Sequence, residues 1–222
     1  MTKNLAQIRN PQRIRLEAST ACQLKCHSCP TASGKTGKAL GTGFLKLSDF
    51  KKIVDANPQV SEIELSNWGE IFLNKEIGDI IRYAYKKNVV LAARNGANLN
   101  SVKEAVLEAL VKYQFRYITC SIDGASLETY QIYRVNGHFD QVIENIQIIN
   151  KYKAEYKSEY PILKWQFVAF GHNEHEIETA RRMAVDLNME FQCKLSWEDL
   201  YEQGNFSPIT NRELIEKETG LG

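Results

Sequence analysis

The feature that most constrains the fold is an alternation of strand-like runs and amphipathic, helix-like segments along the chain. Six segments have strand character: residues 13–19, 62–68, 89–94, 117–123, 163–170 and 190–196. Several are largely apolar without strict alternation, as parallel strands covered on both faces are. The pattern predicts an α/β fold, either an open barrel or a doubly wound sheet, and in both of these ligands bind at the carboxyl ends of the strands.

Helical periodicity fills the intervals between these strands. Residues 101–114 carry an apolar face at helical spacing, and Ser101 with Glu104 forms a capping-box pattern at its start. Residues 139–152 repeat the apolar periodicity. Asn173 precedes another helical run through residue 187, where it is expected to act as an N-cap. Each helix can cover a sheet face.

Length and charge narrow the class of protein. A chain of 222 residues is ordinary for one α/β domain, so one main domain is expected over residues 1–196. The formal net charge is +1 with no basic block, which gives no reason to expect a nucleic-acid or membrane partner. No signal peptide or membrane span is evident, and a cytoplasmic protein is expected. Residues 197–222 are interpreted as a tail, or as a linker to a further domain.

Three of the five cysteines lie within eight residues, directly after the first predicted strand. Cys22, Cys26 and Cys29 have the spacing CxxxCxxC. A [4Fe-4S] cluster normally takes four thiolates, so three would leave one iron with an open position for a cofactor or substrate. A structural zinc site is the alternative, and it would need a fourth ligand from His27 or from one of the two distant cysteines, Cys120 and Cys193.

This loop resembles that of the radical S-adenosylmethionine (radical SAM) superfamily. There the CxxxCxxC motif binds a [4Fe-4S] cluster whose unique iron is chelated by S-adenosylmethionine. The resemblance covers roughly residues 11–222 and implies a partial (βα)6 barrel, in agreement with the six predicted strands. The chain departs from the family at Ser28, where an aromatic residue or methionine is frequent. It also contains no cysteine-rich C-terminal extension of the kind called SPASM or twitch.

The pair Gly69-Glu70, at the end of the second predicted strand, resembles the last two residues of the family's GGE motif. The resemblance implies that Glu70 meets the methionyl amino group of the cofactor. A glycine allows close approach of the backbone, and a carboxylate can pair with an ammonium group. The alternative is an ordinary glycine turn with a solvated glutamate.

Further cofactor contacts are implied at the ends of the later strands. Ser121 and Asp123 share one strand face and match polar positions that the family uses for the ribose and the carboxylate. Arg134 matches an arginine that pairs with the cofactor carboxylate, a role that suits a guanidinium. Asn95 ends the third strand near the expected site, and Leu195 is a candidate adenine contact. Turn formation, a surface helix charge and core packing are the alternative interpretations of these residues.

Two histidines follow the fifth predicted strand. His172 and His175 flank Asn173 in a stretch that resembles one found in the family. We interpret them as surface residues rather than ligands.

The resemblance implies an enzyme that cleaves S-adenosylmethionine to a 5′-deoxyadenosyl radical, which abstracts hydrogen from a peptide or carbohydrate substrate. A one-electron donor such as flavodoxin or ferredoxin would reduce the cluster. Two other classes stay open: a zinc-binding module that uses the same cysteines, and a cluster-bearing scaffold without catalysis. No residue is singled out as the one that quenches a substrate radical.

Overall fold

A computed structural model describes residues 11–196 and 206–220. Six parallel strands form one sheet in these residues. The strands are β1 (Arg13–Arg15), β2 (Glu62–Glu64), β3 (Val90–Ala97), β4 (Tyr117–Ser121), β5 (Ile162–Ala169) and β6 (Glu190–Leu195). Each strand pairs with its sequence neighbours in the order β1 to β6. That order is the one expected for a partial barrel, since a doubly wound sheet reverses its strand order at a switch point.

Helices connect the strands. They are α1 (Lys35–Leu40), α2 (Leu47–Ala56), α3 (Ile77–Lys86), α4 (Glu104–Lys112), α5 (Leu127–Tyr133), α6 (Phe139–Tyr156), α7 (Ile177–Asp186) and α8 (Arg212–Thr219), with short 3-10 helices at Ile71–Leu73 and Glu174–Glu176. In the part of the chain that the structure describes, no helix is long and apolar enough to cross a membrane.

The core lies between one face of the sheet and the helices. Helix α3 shows the sequence basis, because Ile77, Ile80, Ile81 and Ala84 recur at helical spacing and are all buried. On β4, Ile118 and Cys120 are completely buried in the same apolar cluster. Parallel strands joined by crossover helices bury their apolar residues in this way.

Several predicted boundaries differ from the observed ones. Strands β1 and β2 end earlier than predicted, at Arg15 and Glu64, and the chain beyond them bends into the loops that carry the site. Strand β3 extends further, to Ala97, through an irregularity in its pairing with β4. The polar residues that follow β1 and β2 make side-chain hydrogen bonds in addition, such as that of the Ser19 hydroxyl to the Ala21 carbonyl and that of the Ser66 hydroxyl to Glu64.

Both predicted caps are wrong. Helix α4 starts at Glu104 after Lys103 and has no side-chain cap, while the Ser101 hydroxyl accepts a hydrogen bond from Gln23. Asn173 does not cap the following helix. Its side-chain oxygen accepts from the Phe170 amide and its side-chain nitrogen donates to two carbonyl groups, so Asn173 braces the end of β5 instead.

Residues 206–220 pack against the barrel, and the interpretation of 197–205 as tail or linker lies outside the described residues. Ile215 of α8 is 3% exposed and joins the main core. The Gly171 amide donates to the Ser207 carbonyl, and the Glu174 carboxylate accepts hydrogen bonds from the Thr210 and Asn211 amides. This segment therefore covers the carboxyl end of β5.

Candidate functional site

The three cysteines lie on the loop that follows β1, at the carboxyl edge of the sheet. Two backbone hydrogen bonds fix this loop. The Glu70 amide donates to the Ala21 carbonyl at 2.8 Å, and the Lys25 amide donates to the Val135 carbonyl at 3.0 Å. The loop is thus attached both to the segment after β2 and to the segment after α5.

Gly69 permits the first of these attachments. A Cβ atom built on Gly69 would lie 2.1 Å from the Ser19 carbonyl oxygen and 2.7 Å from the Ala21 carbonyl oxygen. The sequence predicted that this glycine lets the backbone approach a ligand. The structure shows close approach to the cysteine loop itself, so the glycine sets the position of the loop.

All three loop cysteines are free thiols that are at least partly buried. Burial raises the pKa of Cys22 to about 11. Burial also raises the pKa of Cys26, although the neighbouring Arg134 guanidinium opposes this shift. Metal binding would therefore displace protons from these groups, because the thiolate is the form that binds metal.

Glu70 is buried below the loop, with 3% of its surface exposed. Its Oε1 accepts a hydrogen bond from the Phe72 amide at 3.1 Å and its Oε2 accepts one from the Asn98 amide at 2.7 Å. Burial raises the pKa of Glu70 to about 7. The carboxylate is therefore neither solvated nor part of an ordinary exposed turn.

Asn98 was missed by the sequence reasoning. Its side-chain Oδ1 accepts hydrogen bonds from the Asn100 amide and from Gln23 Nε2, and its Nδ2 lies 3.7 Å from Cys22 Sγ. The only signal in the sequence is that Asn98 follows Asn95-Gly96 in a stretch that is otherwise partly apolar. Proximity to Cys22 comes from the fold, because the two residues are 76 positions apart.

Asp123 and Arg134 form a buried ion pair, with Arg134 Nε 2.5 Å from Asp123 Oδ2. Asp123 is completely buried and its Oδ1 accepts a hydrogen bond from the Val168 amide at 2.8 Å. Burial disfavours the guanidinium charge, but Asp123 together with Cys26, Tyr133 and Tyr130 outweighs this effect and raises the pKa of Arg134 above its ordinary value. Arg134 Nη1 donates to Cys26 Sγ at 3.5 Å. Arg134 is therefore no surface charge.

Asn95 and Ser121 lie at the carboxyl ends of β3 and β4. The Asn95 side chain donates to the Ser66 carbonyl at 2.8 Å, and the Asn95 amide donates to the Ser66 hydroxyl. A Cβ on Gly96, whose φ is +124°, would lie 2.5 Å from the Ser121 hydroxyl oxygen. Asn95 thus links the carboxyl end of β3 to the segment after β2, and the absence of a side chain on Gly96 leaves space for Ser121.

Leu195 occupies the face of β6 that belongs to the core. Phe191, Cys193 and Leu195 alternate at two-residue intervals and pack against the hydrophobic cluster. Leu195 is partly buried against the core, in agreement with the core-packing interpretation, and the adenine contact stays a prediction. Cys120 and Cys193 are also buried and belong to this cluster.

An aromatic group lies beside the cysteine loop. The His27 ring stacks on Phe206 with a centroid distance of 4.1 Å, and the His172 ring stacks on Phe170 at 5.4 Å. The prediction that both later histidines are surface residues is therefore wrong for His172, which is partly buried, and correct for the exposed His175. Burial lowers the pKa of His172.

The donor set fits an iron–sulfur cluster. Three free cysteines lie on one fixed loop, and the sulfur atoms of Cys22 and Cys26 each face a side-chain N–H donor. Thiolates bound to iron accept such hydrogen bonds. Within residues 11–196 and 206–220, no three or more His, Cys, Asp or Glu side chains are close enough together to hold a single metal ion.

The fold and the site together define a class of protein: a parallel α/β partial barrel with a three-cysteine centre at the carboxyl ends of its strands. Residues 16–184 match the family model of the radical SAM superfamily. The chain belongs to this superfamily. The superfamily fold implies a [4Fe-4S] cluster and S-adenosylmethionine as cofactors.

Solved structures share the fold. SuiB from Streptococcus suis matches with a TM-score of 0.71 and 14% sequence identity, over 94% of this chain and 46% of SuiB. Methylornithine synthase (PylB) matches with a TM-score of 0.59 and 11% identity, over 82% of this chain and 52% of PylB. TYW1 with a bound lysine–pyruvate adduct matches with a TM-score of 0.59 and 13% identity, over 83% of this chain and 65% of TYW1.

The chain spans about half the length of SuiB and PylB. SuiB has also been solved with S-adenosylmethionine and with its precursor peptide SuiA, and these structures match with TM-scores of 0.65 and 0.68. No curated protein sequence matches the chain.

Proposed function

We propose that this protein is a radical SAM enzyme in which Cys22, Cys26 and Cys29 hold a [4Fe-4S] cluster. These three cysteines would hold the cluster, and the chemistry that it would supply there is the one-electron cleavage of S-adenosylmethionine to methionine and a 5′-deoxyadenosyl radical able to take a hydrogen atom from the substrate. The observation that carries this proposal is the fixed three-cysteine loop at the carboxyl edge of the sheet, with N–H donors at two of its sulfur atoms.

Contacts from other parts of the chain hold the cysteine loop in position. Gly69 lets the segment after β2 pack against the loop, and the Glu70 amide fixes it through Ala21. Asp123 and Arg134 approach from the other side. Of the predicted cofactor contacts, Ser121 lies at the carboxyl end of β4, where this family would place the ribose, and we keep it as the leading candidate.

A peptide is the substrate class that we favour. The support is the similarity in fold to SuiB, which has been solved with its precursor peptide. Carbohydrate remains the second candidate from the family resemblance. A low-potential one-electron donor of the flavodoxin or ferredoxin type would supply the electron.

The test is anaerobic reconstitution followed by a cleavage assay. Purified protein would be loaded with iron and sulfide, reduced with dithionite and mixed with S-adenosylmethionine, and 5′-deoxyadenosine would be quantified. A triple Cys22→Ala, Cys26→Ala, Cys29→Ala variant is expected to be colourless and to form no product. The matched control is Cys120→Ala with Cys193→Ala, which changes the two buried cysteines of the core and leaves the loop intact.

The outcomes separate the classes of protein. A brown protein that makes 5′-deoxyadenosine with its loop cysteines intact supports the proposal. A colourless protein that retains zinc through the same cysteines would identify a zinc-binding module and overturn it. A stable cluster without cleavage would identify either a scaffold or a fragment that needs a further C-terminal part for activity.

A further inference from the structure

The two carboxylates at the strand ends are buried and already have partners within the protein. Glu70 is 3% exposed and Asp123 is fully buried. All four carboxylate oxygen atoms accept a hydrogen bond. The two oxygens of Glu70 accept from the Phe72 and Asn98 amides. The two oxygens of Asp123 accept from the Val168 amide and from Arg134 Nε. Both side chains therefore act on their protein neighbours.

Each carboxylate fixes a group that donates to a cysteine of the loop. The Glu70 carboxylate holds the Asn98 backbone, and Asn98 Nδ2 lies 3.7 Å from Cys22 Sγ. The Asp123 carboxylate holds Arg134 Nε, and Arg134 Nη1 lies 3.5 Å from Cys26 Sγ. The same arrangement of buried carboxylate, N–H donor and sulfur therefore occurs on both sides of the loop.

The orientation of the Asn98 amide is determined by its other partners. Its Oδ1 accepts from the Asn100 amide at 3.0 Å and from Gln23 Nε2 at 2.9 Å. An amide group with its oxygen so placed has its nitrogen between two acceptors, Cys22 Sγ at 3.7 Å and Gln23 Oε1 at 3.4 Å, and the two N–H bonds of the amide can serve both. The orientation of the Arg134 guanidinium is fixed in a similar way, because its Nε donates a hydrogen bond to Asp123.

We propose that Asn98 and Arg134 are positioning residues that donate hydrogen bonds to the cluster ligands Cys22 and Cys26, held in place by Glu70 and Asp123, and that they raise the reduction potential of the cluster. Hydrogen bonds to the sulfur atoms stabilise the more electron-rich, reduced state, and they are among the factors that set the potential of iron–sulfur proteins. This inference rests on the proposed function, since it requires that the three cysteines hold a cluster.

The experiment measures the midpoint potential of the cluster by a redox titration that is followed by electron paramagnetic resonance, with and without S-adenosylmethionine. Arg134→Lys keeps the positive charge but loses the planar guanidinium group with its several N–H donors. Asn98→Leu keeps the approximate shape of the side chain but loses its N–H donor. The matched controls are Arg82→Lys on the exposed face of α3 and Asn150→Leu on α6, whose side chain donates to the Leu187 carbonyl. Cluster content and circular dichroism verify that each protein is loaded and folded.

Arg134→Lys and Asn98→Leu are each expected to lower the equilibrium constant for one-electron reduction about tenfold, which is a shift of about 59 mV to more negative potential. The controls are expected to match the wild-type protein. Unchanged potentials in the loaded variants, or equal shifts in the controls, would overturn this inference and leave the proposed function intact. A wild-type protein that binds no cluster would overturn both.

If the variants lose their cluster, spectroscopy of the wild-type protein tests the inference instead. Protein labelled with [15N]arginine is expected to show a magnetic coupling between a guanidinium nitrogen and the reduced cluster, because Arg134 Nη1 contacts Cys26 Sγ. A loaded protein without any such coupling would overturn the role of Arg134.

Discussion

At the scale of single residues, two carboxylates that resemble ligand-binding groups in the sequence are internal groups in the structure. Glu70 and Asp123 were predicted from a family resemblance and from strand-end placement. Their near-complete burial and two of their backbone partners could not be predicted, because these N–H groups come from Asn98 and Val168, which are distant in sequence from Glu70 and Asp123. Burial away from solvent makes each carboxylate sensitive to the loss of its partner.

Loss of the Asp123 charge is expected to destabilise the protein. Asp123→Asn would leave the Arg134 guanidinium buried without its counter-ion, and breaking such a pair typically costs about 3–5 kcal/mol. Urea unfolding measures this change in the free energy of unfolding. The matched control is Asp79→Asn, which removes the exposed ion pair to Arg82 and should cost less than about 1 kcal/mol. Equal effects of the two substitutions would contradict the prediction.

Glu70 is expected to make stability fall as the pH rises. The pKa of Glu70 is about 7 in the folded protein and 4.5 ordinarily, so between these values the folded state retains a proton that the unfolded state releases. The stabilising contribution of Glu70 to the free energy of unfolding is fully present below pH 4.5. As the pH rises through 7 this contribution is lost, and the free energy of unfolding falls by roughly 3 kcal/mol. Urea unfolding of the metal-free protein at pH 5 and pH 8 measures it.

Glu70→Gln should reduce this difference between pH 5 and pH 8, because the amide does not titrate. The comparison of wild type and variant removes the contributions of other titrating groups. The same pH dependence in both proteins would show that Glu70 is not the group responsible.

At the scale of elements, the loop after β1 and the segment after β2 pack closely against each other, and a backbone hydrogen bond joins them. The cysteine spacing predicted which loop carries the site, because CxxxCxxC is a local pattern. The pattern did not predict why Gly69 is required, since its neighbours are carbonyl groups about fifty positions earlier in the chain. Likewise, capping patterns failed at Ser101 and Asn173, because both side chains find partners in other elements.

Gly69→Ala is expected to displace the cysteine loop and to lower cluster content several-fold after reconstitution, because its Cβ would overlap the Ser19 carbonyl. Iron and sulfide analysis measures the effect. The matched control is Gly43→Ala, in the nearby segment that pairs with Thr20, where an added Cβ has no atom within 4 Å. If Gly69→Ala binds as much iron as Gly43→Ala, the close packing at Gly69 is not what positions the loop.

At the scale of the whole molecule, residues 206–220 stabilise the barrel from outside the predicted core. Ile215 is buried against β6, and Arg181 of α7 pairs with Glu218. The same segment brings Phe206 onto His27 of the cysteine loop. Its polar composition and weak periodicity predicted a tail, because a single short helix has little pattern of its own and its burial depends on the surface that it meets.

Ile215→Ala is expected to lower the free energy of unfolding by about 2–5 kcal/mol, since it removes a buried side chain from the core. Val185→Ala on α7 is the control, because this side chain is 72% exposed and should change stability by less than about 0.5 kcal/mol. Denaturant unfolding of the two variants tests whether α8 is an integral part of the fold. Equal stabilities would mean that it is not.

The sequence by itself determined the α/β class and the loop that carries the cysteines, because periodicity and motif spacing are local properties of the chain, whereas the order of the strands in the sheet is read from the structure. Only the tertiary structure decided that Asn98 meets Cys22 across 76 positions, that Arg134 meets Cys26 across 108, and that Leu195 lies on the core face of β6. Such contacts depend on which strand ends the sheet brings together, and no pattern within a single segment specifies them.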